Sequence, residues 1–230
     1  MNDFFRFPHT PHLAWIAHGS PRGDKILSPH EVDFLIDNNV IIEEKLDGAN
    51  LGISLDANGN LQVQNRGQYL HPPYSGQFSR LNSWLLQHRE GLLAMLKPGQ
   101  IVFGEWCAAR HSLNYTKLPD WFLVFDIFDN ENKKFWSCSK RDKLASGLEL
   151  HTVPCIFNGH VTTKQLIETV MNQDSRYRPG KLEGIIIRRD SKNWCEAKAK
   201  LVRPDFTQSI EDHWRKRPIE WNHVQSTNNF

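Results

Sequence analysis

The sequence predicts an α+β fold in which helices flank mostly antiparallel β-sheets. Two observations predict it. Short runs rich in β-branched and aromatic residues recur along the chain, and only turn residues separate several neighbouring runs. A few other stretches carry apolar residues at helical spacing. Because prolines and glycines are scattered through the 230 residues rather than pooled in a linker, we expect one continuous domain.

The first elements follow an irregular N-terminal segment, residues 1–27, in which prolines and glycines interrupt every periodic run. Ser28, Pro29 and Glu31 then supply an N-cap, a first-turn proline and a capping box, which predicts a helix to about Asp37. Three strands are expected next in one antiparallel sheet, at 40–46, 50–55 and 61–66. A hairpin turn around Asn58-Gly59 joins the last two.

The rest of the chain repeats these patterns. An amphipathic helix that covers a sheet is expected over 79–97, where Pro98-Gly99 ends it. Further strands are expected at 101–106, 121–128 and 134–138, a helix at 163–172, and strands at 183–189 and 194–202.

Composition excludes several classes of protein. Hydrophobic residues make up 39% of the chain, with 8 Trp and 13 Phe, which excludes disorder and coiled coil. Because 28 Lys and Arg nearly balance 26 Asp and Glu, any site for a polyanion must be local. The 4 cysteines form no C-x-x-C pair, and no run approaches the ~20 apolar residues of a membrane span. We therefore expect a cytoplasmic protein with reduced thiols and no membrane partner.

Chemistry is first indicated at the end of the first predicted strand, in Glu44-Lys45-Leu46-Asp47-Gly48. Strand alternation puts Lys45 and Asp47 on one face, so that a lysine and a carboxylate share a pocket. The alternative is a charged strand end that runs into an Asp-Gly turn.

Lys198 and Lys200 alternate in the same way, so both ammonium groups point to one side of a late strand. A solvated edge strand is the alternative. Glu105, Asp126 and Glu183 lie at or within other apolar strands, where an unpaired carboxylate would be costly to bury. Each of these acids could instead serve a structural ion pair or a backbone donor.

Taken in order, six segments resemble the signature of the covalent nucleotidyltransferases, the superfamily of ATP-dependent polynucleotide ligases and mRNA capping enzymes. They are K-L-D-G, N-R-G, F-G-E-W, F-D, E-G-I-I-I-R and A-K-A-K-L-V-R, within residues 43–206. Their order and spacing look most like the RNA ligases that seal nicks in duplex RNA. The resemblance implies an ATP-grasp-like ligase core over residues 1–206. Residues 207–230 would be a short extension packed on or next to the core, with no OB-fold or full C-terminal domain.

The resemblance also implies a mechanism. Lys45 would attack the α-phosphorus of ATP and carry AMP, which passes to a 5′-phosphate end before a 3′-hydroxyl displaces it. Since only a neutral amine attacks, we expect nearby cations, namely Lys198, Lys200 and a divalent metal, to lower the pKa of Lys45. The implied catalytic residues are Lys45, Asp47, Lys198 and Lys200.

Binding roles follow from the same resemblance. ATP would be held by the Glu44 carbonyl, by Glu105 at the ribose, by Phe125 against adenine, and by Lys45, Arg66, Glu183, Lys198 and Lys200. Mg²⁺, with Mn²⁺ as a substitute, would lie among Asp47, Glu105 and Glu183, bound through water. Nucleic acid would contact Arg66, Asp126 and Arg203.

The implied partner is RNA with 3′-hydroxyl and 5′-phosphate ends, including nicked duplex, together with a partner protein that supplies a clamp domain. Two alternatives stay open: a DNA nick-sealing ligase, and a nucleotide- or RNA-binding module without turnover. Zinc is not expected, because the His and Cys spacings match no zinc motif. The basic, Trp-containing tail fits either nucleic-acid binding or a helix that packs on the core; it includes Trp214, Arg215, Lys216, Arg217 and Trp221.

Overall fold

The computed structural model describes residues 4–21, 23–209 and 218–225. The helices are α1 (Pro29–Ile36), α2 (Leu81–Met95), α3 (Cys138–Gly147), α4 (Thr163–Asn172) and α5 (Pro204–Ser209), with a 3₁₀ turn at Gly76–Phe78. The strands are β1 (Val40–Lys45), β2 (Ala49–Leu55), β3 (Leu61–Gln64), β4 (Tyr69–Leu70), β5 (Gln100–Trp106), β6 (Phe122–Asp129), β7 (Lys134–Phe135), β8 (His151–Thr152), β9 (Cys155–Gly159), β10 (Gly184–Asp190) and β11 (Cys195–Val202). None of the helices in these ranges is long and apolar enough to cross a membrane.

The strands form two sheets. One has four antiparallel strands in the order β11-β10-β1-β9. The other has seven strands, with β4-β3-β2-β5-β6-β7 antiparallel and β8 paired parallel with β6. Helices cover these sheets, so the structure has the α+β class that the sequence predicts.

Each sheet has its own hydrophobic core. On the four-stranded sheet, Leu35 of α1 and Leu166 of α4 pack with Ile42, Ile187 and Leu201 of the strands. On the seven-stranded sheet, the core includes residues of α2 and of the central strands: Leu81, Trp84, Leu92, Ile53, Val102 and Val124. The prediction that the 79–97 helix covers a sheet is confirmed, because its apolar stripe is buried on that surface.

The local predictions are largely confirmed. The capping box at α1 forms, with the Ser28 N–H donating to Glu31 Oε2 at 2.9 Å and the Glu31 N–H donating to Ser28 Oγ at 3.4 Å. The helices predicted at 79–97 and 163–172 correspond to α2 and α4, and most strands lie within one or two residues of their predicted bounds.

The prediction that the first three strands share a sheet is wrong. β1 joins the four-stranded sheet and β2 the seven-stranded one, and the chain crosses between them at Asp47-Gly48. The crossing is tight: a Cβ on Gly48 would come 2.6 Å from the Trp106 carbonyl oxygen. The segment that carries the candidate lysine therefore bridges two sheets.

The strand predicted at 134–138 is shorter than expected, because β7 ends at Phe135 and Cys138 begins α3. Sequence reasoning missed α3 because it carries no apolar stripe. Its buried residues are Cys138, Arg141 and Ala145. An arginine therefore faces the core at a position where a helix normally has a hydrophobic residue.

The N-terminal segment is irregular, as predicted, but it packs closely on both sheets. Phe7 is 4% exposed and lies among aromatic residues of the seven-stranded sheet. Residues 11–13 run beside β11, where Lys200 N donates to Pro11 O and Leu13 N donates to Lys200 O, both at 2.8 Å.

The described part of the tail, residues 218–225, pairs with the loop at 107–118 through bridges between Ala109 and Trp221 and between Leu118 and Val224. Trp221 is partly buried and packs against the hydrophobic core of the seven-stranded sheet. The other tail residues singled out from the sequence, residues 214–217, lie outside the described residues.

Candidate active site

A cavity of about 570 Å³ lies between the two sheets. β1, β10 and β11 line one side, and β2, β5 and β6 line the other. Seven predicted site residues line it: Glu44, Lys45, Arg66, Glu105, Phe125, Asp126 and Lys198. Its volume suits a nucleotide-sized ligand.

Lys45 is the last residue of β1, and Glu183 immediately precedes β10. The antiparallel register pairs Lys45 with Gly184, which brings the two side chains together. Lys45 Nζ donates to Glu183 Oε1 in an ion pair whose carboxylate is 4% exposed. The other oxygen of Glu183, Oε2, is buried and has no hydrogen-bond partner among the described residues.

Two further carboxylates lie near this pair. Glu105 Oε1 accepts the Gly48 N–H at 2.9 Å, and Asp47 Oδ2 accepts the backbone N–H groups of Ser112 and Leu113 at 2.7 Å each. Burial raises the pKa of Glu183 to about 8 and that of Glu105 to about 7, although Lys45 opposes both shifts. The site thus holds more carboxylate than its own lysine neutralises.

The balance of charges around Lys45 is the opposite of the expected one. Burial lowers the pKa of Lys45, but Glu183, Glu105 and Asp47 outweigh burial and raise it above its ordinary value. Lys45 is therefore held as an ammonium ion in the structure. The expectation that Lys198 and Lys200 lower its pKa is not met, because the effect of the three carboxylates is larger; the effect of a divalent metal stays a prediction.

Lys198 and Lys200, the two lysines of β11, each form an ion pair with an aspartate. Lys198 Nζ donates to Asp126 and also lies 3.9 Å from the centre of the Phe135 ring. Lys200 Nζ donates to Asp24, which comes from the N-terminal segment. Burial lowers the pKa of Lys200 against the opposing effect of Asp24.

His12 lies in the same cluster, with its Nε2 3.7 Å from Asp24 Oδ2. Burial, and next the charge of Lys200, lower the pKa of His12 to about 4. Sequence reasoning missed both Asp24 and His12, since neither lies in a periodic element or a motif.

The residues predicted to bind the adenine and phosphate groups of ATP include Phe125, Arg66 and Glu44. Phe125 lines the cavity and packs edge-on against Phe7, with ring centroids 5.3 Å apart. Arg66 also lines the cavity, and its Nε is buried without a hydrogen-bond partner among the described residues. The Glu44 side chain points away into protein, accepting from Ser175 Oγ at 2.5 Å and from Arg176 N at 2.9 Å. Any contact from Glu44 to a ligand would therefore use its backbone.

Asp126 belongs to a buried ion network that joins the two sheets. Arg188 of β10 donates to Asp126 Oδ1 at 2.6 Å, and Arg141 of α3 donates to Glu43 Oε1 at 2.6 Å. Burial raises the pKa of Asp126, but Lys198 and Arg188 outweigh it and keep the pKa below its usual range. Two sequence signals point to this network: Asp126 within an apolar strand, and Arg188 at the end of the E-G-I-I-I-R segment.

Arg203 lies apart from the cavity lining and forms a two-pronged contact with Asp205, at 2.9 and 2.7 Å. Its backbone N–H donates to the Glu183 carbonyl at 3.0 Å, which ties the end of β11 to the start of β10. The predicted contact of Arg203 with nucleic acid stays a prediction.

The acidic set fits a hydrated divalent ion better than a directly ligated one. Among the described residues, no group of three or more His, Cys, Asp or Glu side chains is arranged to hold an ion directly. The unpartnered, buried Oε2 of Glu183 and the excess of carboxylate do favour a cation that keeps its own water ligands, as Mg²⁺ does.

Comparison with known proteins defines first a class and then a family. Solved structures with a similar fold include RNA ligases, and at 16% identity or less this likeness shows the fold. Naegleria gruberi RNA ligase with pyrophosphate matches with a TM-score of 0.61 and 16% identity over 91% of this chain and 65% of that one. A mutant of the same ligase with ATP and Mn matches with a TM-score of 0.58 and 16% identity over 79% and 54%. An archaeal ATP-dependent RNA ligase matches with a TM-score of 0.56 and 16% identity over 87% and 49%.

The family model of RNA ligase matches residues 38–202, well over half of the chain. The chain belongs to the RNA ligase family. It spans 54% of the length of the first Naegleria ligase structures that it matches. No curated protein matches the chain significantly.

Proposed function

We propose that this protein is an ATP-dependent RNA ligase that joins 3′-hydroxyl and 5′-phosphate ends through AMP carried on Lys45. The observation that carries the proposal is the position of Lys45 at a nucleotide-sized cavity, in an ion pair with Glu183 and beside two more carboxylates. An exposed structural lysine has no need of three acids. A lysine that must be held in position, pass its proton to a carboxylate and react beside a hydrated metal ion does.

Different residues in and near the cavity are proposed to bind different parts of ATP. Phe125, fixed by Phe7, offers a ring face for adenine, and the buried Arg66 Nε is an unused donor for a phosphate oxygen. Lys198 and Lys200 can bind the triphosphate, whose oxygens would compete with Asp126 and Asp24 for the two ammonium groups.

Glu183 gives Lys45 a route for its proton. The two groups are hydrogen-bonded, and the raised pKa of Glu183 makes its Oε1 a competent acceptor. The Nζ–phosphorus bond then forms as the bond from the α-phosphorus to pyrophosphate breaks. Mg²⁺ held through water by Asp47, Glu105 and Glu183 would supply positive charge at the α-phosphate.

Two further transfers complete the proposed reaction. A 5′-phosphate oxygen of the RNA attacks the α-phosphorus, and the Nζ–phosphorus bond breaks to return Lys45. The RNA 3′-hydroxyl then loses its proton and attacks the 5′-phosphate, which expels AMP. We extend the proposal to an adenylation domain at residues 1–206 with residues 207–230 as an extension, and to a separate clamp protein on the RNA. Arg66, Asp126 and Arg203 are the proposed contacts to RNA.

The first test is covalent labelling with α-³²P ATP and Mg²⁺. The wild type should retain label after denaturation, and Lys45→Ala should retain none. Lys164→Ala is the matched control, because the Lys164 side chain is 86% exposed and does not line the cavity. Absence of label on the wild type, or undiminished label on Lys45→Ala, rejects the proposal.

The second test uses nicked duplexes that differ only at the 3′-hydroxyl nucleotide. We expect faster sealing with ribose than with deoxyribose at that position. A strong preference for deoxyribose would reassign the protein to DNA nick sealing, and label on Lys45 without any joining would indicate a module that has lost turnover.

A further inference from the structure

We propose that residues 218–225, here called the C-terminal clasp, position Asp47 for the adenylation of Lys45, with Tyr115 and Asn222 as positioning residues. The inference rests on the proposed function. The clasp lies outside the 38–202 range matched by the family model, whereas Asp47 and Tyr115 lie within it. It is carried by a continuous set of hydrogen bonds from the clasp to Asp47.

Asp47 is held by a single stretch of chain. Its Oδ2 accepts from Ser112 N and Leu113 N at 2.7 Å each, and its own N–H donates to Tyr115 Oη at 2.8 Å. Both the carboxylate and the backbone of Asp47 therefore take their positions from residues 112–115. Tyr115 is fully buried, so its hydroxyl is a fixed acceptor.

That stretch belongs to the loop at 107–118, which contains no helix or strand of its own. Five backbone hydrogen bonds of 2.8–3.0 Å join the loop to the clasp instead: Arg110 N to Glu220 O, Asn222 N to Ala108 O, His223 N to Tyr115 O, Leu118 N to His223 O, and Gln225 N to Leu118 O. The clasp thus supplies backbone hydrogen-bond partners to this loop, as a neighbouring strand does in a β-sheet.

The Asn222 side chain connects both ends of the loop. Its Oδ1 accepts from Tyr115 N at 2.8 Å, and its Nδ2 donates to Cys107 O at 2.8 Å and to Ala109 O at 3.3 Å. Asn222 is 2% exposed, so removal of its side chain leaves Tyr115 N and the Cys107 and Ala109 carbonyls buried without these bonds.

The clasp is anchored separately from the catalytic strands. The Arg80 guanidinium lies between the Trp221 and Trp121 rings, 4.2 and 4.9 Å from their centroids. Lys45, by contrast, is held by the β1–β10 ladder and by its ion pair with Glu183. Disturbing the clasp should therefore shift Asp47 while Lys45 stays in place.

This separation predicts a specific kinetic effect. A shift of about 1 Å in a catalytic group costs on the order of 100-fold in rate. ATP affinity should change little, because the proposed ATP contacts do not depend on the clasp. Loss of positioning should appear in the maximal rate of lysyl-AMP formation.

The test compares Tyr115→Phe and Asn222→Ala with the wild type in single-turnover labelling over a range of ATP concentrations. Tyr115→Phe removes one oxygen and keeps the buried ring. We expect the rate at saturating ATP to fall roughly 10- to 100-fold in both variants, with the half-saturating ATP concentration little changed. Tyr74→Phe, which removes the hydroxyl of a partly buried tyrosine elsewhere on the core, should label like the wild type.

A second measurement does not depend on activity. Amide hydrogen exchange of a peptide covering residues 44–50, in protein without nucleotide, should become faster in both variants, while a peptide covering β10 should stay unchanged. Labelling at the wild-type rate in both variants, or faster exchange spread equally over β10, overturns the inference. A wild type that takes no label overturns the proposed function instead, and the exchange result then decides the positioning alone.

Discussion

Lys45 and Glu183 form a half-buried ion pair although 138 positions separate them in the chain. The pairing of β1 with β10 brings them together, and it makes the pKa of Lys45 higher, rather than lower, than that of a free lysine. The structure therefore stores the proposed nucleophile in its protonated form, beside an acceptor for its proton.

Replacing Glu183 by Gln should lower the pKa of Lys45, because it removes the strongest of the charges that raise this pKa. At pH 8 to 9, a larger fraction of Lys45 should then be neutral and react with an acylating reagent, which peptide mass spectrometry can quantify. Lysyl-AMP formation should nevertheless fall at least about tenfold, since Lys45 loses both its orientation and its proton acceptor.

Glu196→Gln is the matched control for this experiment. Glu196 is an exposed carboxylate on β11 that accepts from Ser191 Oγ at 2.7 Å. Unchanged reactivity of Lys45 in Glu183→Gln would contradict the charge balance described above.

Replacing Asp24 by Asn should strengthen ATP binding. Asp24 neutralises Lys200, so the triphosphate has to compete with a carboxylate for that ammonium group. We expect the half-saturating ATP concentration for lysyl-AMP formation to fall about fivefold, the factor that corresponds to about 1 kcal/mol for a partly exposed ion pair. A rise would indicate that Asp24 holds Lys200 in its working position. Glu31→Gln, which breaks an exposed ion pair with Lys25, is the control.

Replacing Arg141 by Met should destabilise the whole fold. Arg141 is 1% exposed and its Nη2 lies 2.6 Å from Glu43, so its loss leaves this buried carboxylate with only the more distant Arg188, 3.9 Å away, as an ion-pair partner. We expect the free energy of unfolding in urea to fall by about 3–5 kcal/mol. Lys164→Gln breaks only an exposed contact with Glu168 and should cost less than about 1 kcal/mol. Equal effects of the two variants would mean that the buried network contributes nothing to stability.

His12 should make the protein less stable in mild acid. Its pKa is lowered to about 4 in the folded protein from an ordinary value of 6.5, so the unfolded chain binds more protons between these two values. The stability that neutral His12 contributes is fully present above pH 6.5 and is lost as the pH falls toward 4. By pH 5 the loss is roughly 2 kcal/mol.

The check is urea unfolding of the wild type and His12→Gln at pH 7 and pH 5. The loss of stability between pH 7 and pH 5 should be smaller in His12→Gln than in the wild type by about 2 kcal/mol. His30→Gln, at an exposed position of α1, should behave like the wild type. An identical loss in all three proteins would show that His12 is not the group responsible.

Local patterns predicted much of the fold. Ser28 and Glu31 specify the start of α1 through the capping box, and the apolar spacing of α2 specifies the face that it buries. α3 could not be found in this way, since the side that faces the core carries Arg141. An apolar pattern cannot report a helix that is held by a buried ion pair.

The sequence by itself predicted the residues of the candidate site, and Lys45, Glu105, Phe125, Asp126 and Lys198 all line one cavity. Only the tertiary structure decided how their charges are paired. Lys45 bonds to Glu183, Lys198 to Asp126, and Lys200 to Asp24, across separations of 138, 72 and 176 residues. Strand periodicity reports the face on which a side chain lies. The pKa of that side chain depends instead on its burial and on the charges within a few ångströms, and these are fixed only when distant segments meet.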